Sequence, residues 1–286
     1  MGRFLSLLKR AFLRSFEHDL WGIAKGAAYS GILSLFPALL VLASVLAASN
    51  QREVLSDLVT RALKGLLPAT TSAFAVRYFT ERQDRPIEAL VTTSILTLWT
   101  ASGMMMSWMD GFRNAYQLPS IWNMFKQRAI AIYLVLLSFV PMSFATGLVV
   151  FGTQIEHWLM AHVSKGNAYY IVLAWVGVRW AISALTSVAV LALIYHHAVP
   201  RTQPWHSVIA GAVMATVAWF LATLAFSWYL THVGEYSIVY GTFGVAIALM
   251  VWMYIISVIV LIGAEVNALL YPREVRIHRQ RGDAVA

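Results

Sequence analysis

Residues 238–270 form a run of 33 residues whose one charged side chain is Glu265. As a single α-helix that run would be ~50 Å long, against a hydrocarbon core of about 30 Å. Five more apolar segments precede it, at about 27–49, 89–109, 130–152, 169–195 and 207–231. Gly241 and Gly244 interrupt the start of the last run, so its helix is expected from about 244, after a turn or re-entrant piece. Only 12% of the chain is charged, whereas a water-facing domain carries roughly 25%. The expected fold is all-α: a polytopic membrane protein of about six transmembrane helices, with residues 1–286 forming a single membrane domain.

The segments outside the spans are amphipathic. Over residues 3–20, Phe4, Leu7, Leu8, Ala11, Phe12 and Phe16 recur at helical spacing opposite Arg3, Lys9, Arg10, Arg14 and Glu17. This predicts an interfacial helix lying among lipid headgroups. No small-residue cleavage site follows it, so a cleavable signal peptide is not expected. In the long first loop, 51–88, two surface helices are predicted. The first, about 53–67, carries the stripe Leu55, Leu58, Val59, Ala62, Leu63 and Leu66; the second covers about 71–81. Lys and Arg number 13 on the side of both termini and 7 on the other. The excess places both termini in the cytoplasm. The formal net charge of +8 follows these membrane flanks, so no nucleic-acid partner is expected.

Ionisable groups inside the spans are the candidate functional residues. Arg179 falls within the fourth span, with Ser183, Thr186 and Ser187 at helical spacing behind it. An arginine there costs about 2.5–3.5 kcal/mol on insertion scales, so the stripe should face the bundle interior. It reads either as a fixed cation for a substrate phosphate or carboxylate, or as an arginine satisfied by backbone carbonyls, Glu156 or Glu235. Glu265 lies roughly 18 Å away along the membrane normal, near the end of the last span with Asn267 two residues on, so a direct pair with Arg179 is not expected. Lys25, Asp110, Arg113, Asn114, Arg128, His196 and His197 share the depth of Glu265, and are expected either to ring a cavity admitting a headgroup or to act as ordinary interfacial anchors. Pro37 and Pro141 interrupt hydrogen bonding within the first and third spans. With Gly241 and Gly244 they are the hinge candidates, the alternative being static kinks. Gly26, Ser30 and Ser34, beside Ala27 and Gly31, predict close helix packing.

Catalytic patterns are thin. The chain has no cysteine, and its eight histidines form no spaced metal set. No phosphate-binding glycine loop or nucleophile elbow is present, so no cofactor, metal or catalytic residue is assigned.

Four stretches carry a resemblance: GAAYSGILSLFPALL, ASGMMMSWMDGFRNAYQLPSIWNMFKQR, YHHAVPRTQPWHSVIAGAVMATVAWFLATLAFSWYL and EYSIVYGTFGVAIALMVWMYIISVIVLIGAEVNALL. In that order they resemble the YihY/BrkB family over about residues 12–272. The resemblance implies a bacterial inner-membrane protein with six helices. Its motif positions here are Ser34, Pro37, Asp110, Arg113, Asn114, Tyr116, Pro200, Tyr240, Gly241, Gly263, Glu265 and Asn267. It brings no catalytic assignment; a ribonuclease BN label attached to members is a misassignment, and envelope lipid traffic has been suggested for relatives. Three functions are weighed: handling of an anionic membrane lipid in envelope homeostasis, a non-transporting scaffold gripping a periplasmic partner through 51–88, and, least favoured, an enzyme. The sequence leaves the oligomeric state open.

Overall fold

The computed structural model describes residues 2–47, 86–119, 122–162, 168–200, 204–232 and 236–271. The predicted surface helices at 53–67 and 71–81 lie outside these residues. The described residues form helices and no strand: α1 (Gly2–Glu17), α2 (Leu20–Ala47), α3 (Pro86–Ala115), α4 (Met124–His162), α5 (Ala168–His197), α6 (His206–His232) and α7 (Tyr236–Leu270).

Among the described residues, five stretches are long and apolar enough to cross a membrane: Leu20–Val41, Met124–Ala145, Val172–His197, His206–Tyr229 and Ala246–Leu270. The expected second span, 89–109, is helical within α3, and hydroxyl side chains punctuate it. Those hydroxyls return to their own helix: Thr92 donates to the Glu88 carbonyl, Thr97 to Thr93, Thr100 to Leu96, Ser102 to Trp99 and Ser107 to Gly103. Satisfied this way, they leave a helix that packs along α2.

Two expectations about breaks are corrected. Gly241 and Gly244 do not interrupt α7, which is helical from Tyr236 without a turn or re-entrant piece. Intrahelical bonding tolerates glycine at about 1 kcal/mol each, which a long apolar helix absorbs. Helices α2 and α4 likewise continue through Pro37 and Pro141. The first span also begins earlier than expected, at Leu20, directly after a turn in which Asp19 takes the left-handed conformation (φ 52°). At the end of α3, Gln117 (φ 51°) does the same, and Leu118 N–H closes back on the Arg113 carbonyl (2.9 Å). That is a Schellman stop built on glutamine rather than glycine.

Neighbouring helices pack in the order α2, α3, α4, α5, α6, α7, and α7 returns to α2, closing a ring; α1 docks on α7. Small residues set the α2–α3 approach. Ser30 Oγ lies beside Gly103, Met104 Sδ beside Gly31, and Ala27 and Ala28 are buried. The buried core concentrates at the end where α1 docks, in Phe112, Leu134, Tyr195, Val208, Ala212, Leu261 and Ala264. There α6 and α7 touch backbone to backbone. A Cβ on Gly211 would meet the Gly263 carbonyl, and one on Gly263 would meet Tyr195 Oη, Ala215 and the Gly211 carbonyl. Tyr195 Oη donates to the Val260 carbonyl (2.7 Å), fixing α5 to the same seam.

Gly263→Ala should therefore cost about 1–3 kcal/mol by overpacking. Gly177→Ala, in open space on α5, should cost nothing measurable. Thermal unfolding of the two detergent-solubilised variants checks this, and equal midpoints would contradict the seam.

Candidate functional site

Helix α1 turns its small residues, not its large ones, to the bundle. Ala11 and Ser15 are buried, whereas Phe12, Leu13 and Phe16 are about half exposed. Phe16 stacks on Trp21 (4.9 Å between centroids), and Phe12 meets both edge-on. This leaves an aromatic face outward, as an interfacial helix requires. The bundle-facing side also carries Arg14 and His18, and both reach Glu265. His18 Nδ1 meets Glu265 Oε2 at 3.0 Å, and Arg14 Nη1 is 3.9 Å from Oε1. The Glu265 side chain is fully buried. Gln117 Nε2 donates to His18 Nε2 (3.2 Å), which leaves the ring proton on Nδ1, toward the carboxylate. Asn114 Nδ2 donates to the His18 carbonyl (3.3 Å). Glu265 thus joins α1, α3 and α7 at one point.

Asn267, two residues on, points another way. Its Oδ1 accepts from Gly211 N–H (2.6 Å) and its Nδ2 donates to the Val208 carbonyl (3.2 Å). It is a strut between α7 and α6, at the seam made by Gly211 and Gly263.

The remaining polar residues at this end split into separate neighbourhoods. Asp110 is held by Arg113 (3.1 Å) and by Gln127 Nε2 (2.8 Å). Arg128 stays apart from them. Its Nη1 donates to Ser102 Oγ (2.8 Å) and the Trp99 carbonyl (3.1 Å), with the guanidinium 4.3 Å from the Trp99 ring centroid. Lys25 is exposed. His196 stacks on Trp205 (4.2 Å), and His197 Nδ1 donates to the Leu193 carbonyl (3.0 Å). A cavity beside Arg113 and Gln127 measures only about 10 Å³, the size of one water.

Arg179 sits in the opposite half of the bundle and is buried, at 8% exposure. It packs so closely on Gly152 of α4 that a Cβ there would overlap its Cδ. Trp175 Nε1 caps the Gly152 carbonyl (2.9 Å). Arg179 Nε and Nη1 have no hydrogen-bond partner among the described residues. Two members of its expected polar stripe turn inward on the helix: Ser183 Oγ donates to the Arg179 carbonyl and Ser187 Oγ to Ser183, both at 2.9 Å. Thr186 is half-buried. The side chains of Glu156 and Glu235 lie outside the described residues.

The sequence pattern of the virulence factor BrkB family matches residues 11–285. The chain belongs to that family. It is 28% identical over 273 residues to the ribonuclease-like protein YfkH of Bacillus subtilis (strain 168), covering 94% of this chain and 97% of that one. It is 25% identical over 283 residues to a UPF0761 membrane protein of Pseudoalteromonas atlantica, covering 96% and 88%, and 28% identical over 273 residues to one from Vibrio vulnificus, covering 93% and 82%. No solved structure matches it.

For a BrkB-family chain, the family's motif residues near the end of α7 now have physical roles. Gly263 permits the α6–α7 approach, Glu265 docks α1, and Asn267 struts α6. Tyr240 and Gly241 are in the first turns of α7, with side chains outside the described residues. Composition had missed His18, Arg14, Gln117 and Gln127. The signal for the first two was available: they are four apart on the same face as the small residues Ala11 and Ser15, a polar strip that must meet a carboxylate once that face is buried. No group of three or more His, Asp or Glu that could hold a metal ion occurs among the described residues.

Leaving a buried acceptor without its hydrogen-bond donor costs about 1–3 kcal/mol, and more when the acceptor is charged. His18→Leu should lose that much, and His18→Leu combined with Glu265→Leu should regain most of it. Unfolding of the single and double variants checks the pair; losses that simply add would refute it.

Proposed function

We propose that this protein binds and moves an anionic amphiphile, a phospholipid or glycolipid, in the bacterial inner membrane. The feature that carries the reading is Arg179: a buried guanidinium in a membrane span, with Nε and Nη1 lacking partners among the described residues. Such a charge is costly and is stabilised most by an anion accepting charge-assisted hydrogen bonds. A lipid phosphate supplies that group while its chains stay in hydrocarbon. Ser183 and Ser187, bonded to their own backbone, do not compete for it. In this reading Asp110, Arg113 and Arg128 at the other end are interfacial groups past which a headgroup travels, with Lys25 exposed among them. The activity needs no cofactor and makes no covalent bond, so the protein is not an enzyme. In this reading both termini lie in the cytoplasm, which the excess of Lys and Arg on their side supports.

Reconstitution into liposomes with headgroup-labelled phospholipids and glycolipids tests it. The expected result is faster exchange between leaflets than in protein-free vesicles, lost in Arg179→Ala and partly kept in Arg179→Lys. Unchanged exchange with every lipid class would end the proposal, and equal rates in both variants would clear Arg179 of a role.

A further inference from the structure

Helices α6 and α7 are pinched together at the end where α1 docks and leave a groove between them toward the other. At the pinched end Gly211 and Gly263 let the backbones touch. At the other, the facing residues are Ala222, Ala225 and Ala248, too small to fill the gap, so a lateral cavity of about 490 Å³ opens there. Ile247, Val251, Ile255, Phe226 and Tyr229 complete its wall. Volumes of about 300–1,000 Å³ with apolar walls are typical of ligand sites. Water would gain almost no partners among these carbons, so the space must hold something apolar.

We propose that this cavity is a binding site for one acyl chain of a membrane lipid. Three observations select that occupant. The cavity lies between two membrane-spanning helices, against the last third of α6 and the middle turns of α7. Its wall from Ile247 to Ile255 is ~12 Å tall, close to the ~15 Å depth of one leaflet's hydrocarbon. Tyr229 lies in the last turn of α6, a position that suits a tyrosine at the headgroup boundary, so the cavity runs from that level inward as a chain does. The groove is narrow, walled by two helices that meet at its base. It suits one chain rather than a helix of a second copy, whose diameter of about 10–12 Å exceeds a gap between touching neighbours. The site extends the lipid reading by giving a chain, not a headgroup, its own place, and its test reads contact rather than transfer, so the two can fail separately.

The full chain in nanodiscs is irradiated with a phosphatidylglycerol bearing a diazirine on one acyl chain, and the adducts are mapped by peptide mass spectrometry. Adducts on residues 222–229 and 247–255 should exceed, several-fold, those on Leu136, Phe139 and Val140, an exposed face of α4 that lacks a groove. Filling the groove with Ala225→Phe or, separately, Ala248→Phe should remove the excess and leave the α4 adducts unchanged. Even labelling of both faces in the wild-type protein would overturn the proposal, with no dependence on how the variants fold. So would efficient disulfide dimerisation of Ala225→Cys, a clean probe in a cysteine-free chain, since it would place a second copy over the groove.

Discussion

The close approach of α6 and α7 at Gly211 and Gly263 is the constraint on which the rest of the bundle depends. Lipid surrounds such helices with material as apolar as their own side chains, so burial alone gives them little reason to associate. What remains is packing and hydrogen bonding, and this seam has both. The two glycines remove the side chains that would hold the helices apart. Asn267 then crosses to the α6 backbone, and Tyr195 brings α5 to the α7 carbonyl at Val260. Every large, fully buried side chain named in the core lies within a few turns of it. Toward the opposite end the same two helices meet through alanines and leave a lateral groove.

Ionisable groups follow that asymmetry. At the tight end, carboxylates are met within the protein: Glu265 by Arg14 and by a hydrogen bond from His18, Asp110 by Arg113 with help from Gln127. These contacts tie α1 to α3 and α7, and α3 to α4, and the cavity beside Arg113 and Gln127 is the size of one water. At the open end Arg179 lies against a glycine backbone with two guanidinium nitrogens unmet by described residues. A membrane protein retains an expensive charge either to fix its architecture or to meet a passenger. In the proposed reading the two ends of this bundle divide those uses.

Much of this was legible in the sequence, for definite reasons. Hydropathy exposes helices because backbone groups in hydrocarbon have to be bonded internally, and the small-residue stripe of Ala27, Ser30 and Gly31 foretold the α2–α3 contact. The depth difference along helices separated Arg179 from Glu265. Partner identity was harder. A carboxylate inside an apolar run needs a partner, but the partner of Glu265 is His18, in the turn after α1 and 247 residues earlier, and no periodicity within α7 points there. The polar groups expected at one depth divide among separate contacts because depth does not specify azimuth: Arg128 turns to Trp99, while Asp110 meets Arg113 and Gln127. The break expected at Gly241 and Gly244 failed because glycine weakens a helix without ending it when apolar residues continue on both sides.

Native mass spectrometry of the protein released from mixed nanodiscs bears most directly on the claim that Arg179 is an anion site. Wild-type protein should retain at least one more phosphatidylglycerol than Arg179→Gln, while phosphatidylcholine retention is the same in both. Identical phosphatidylglycerol retention by the two proteins would contradict the claim and leave Arg179 a structural cation.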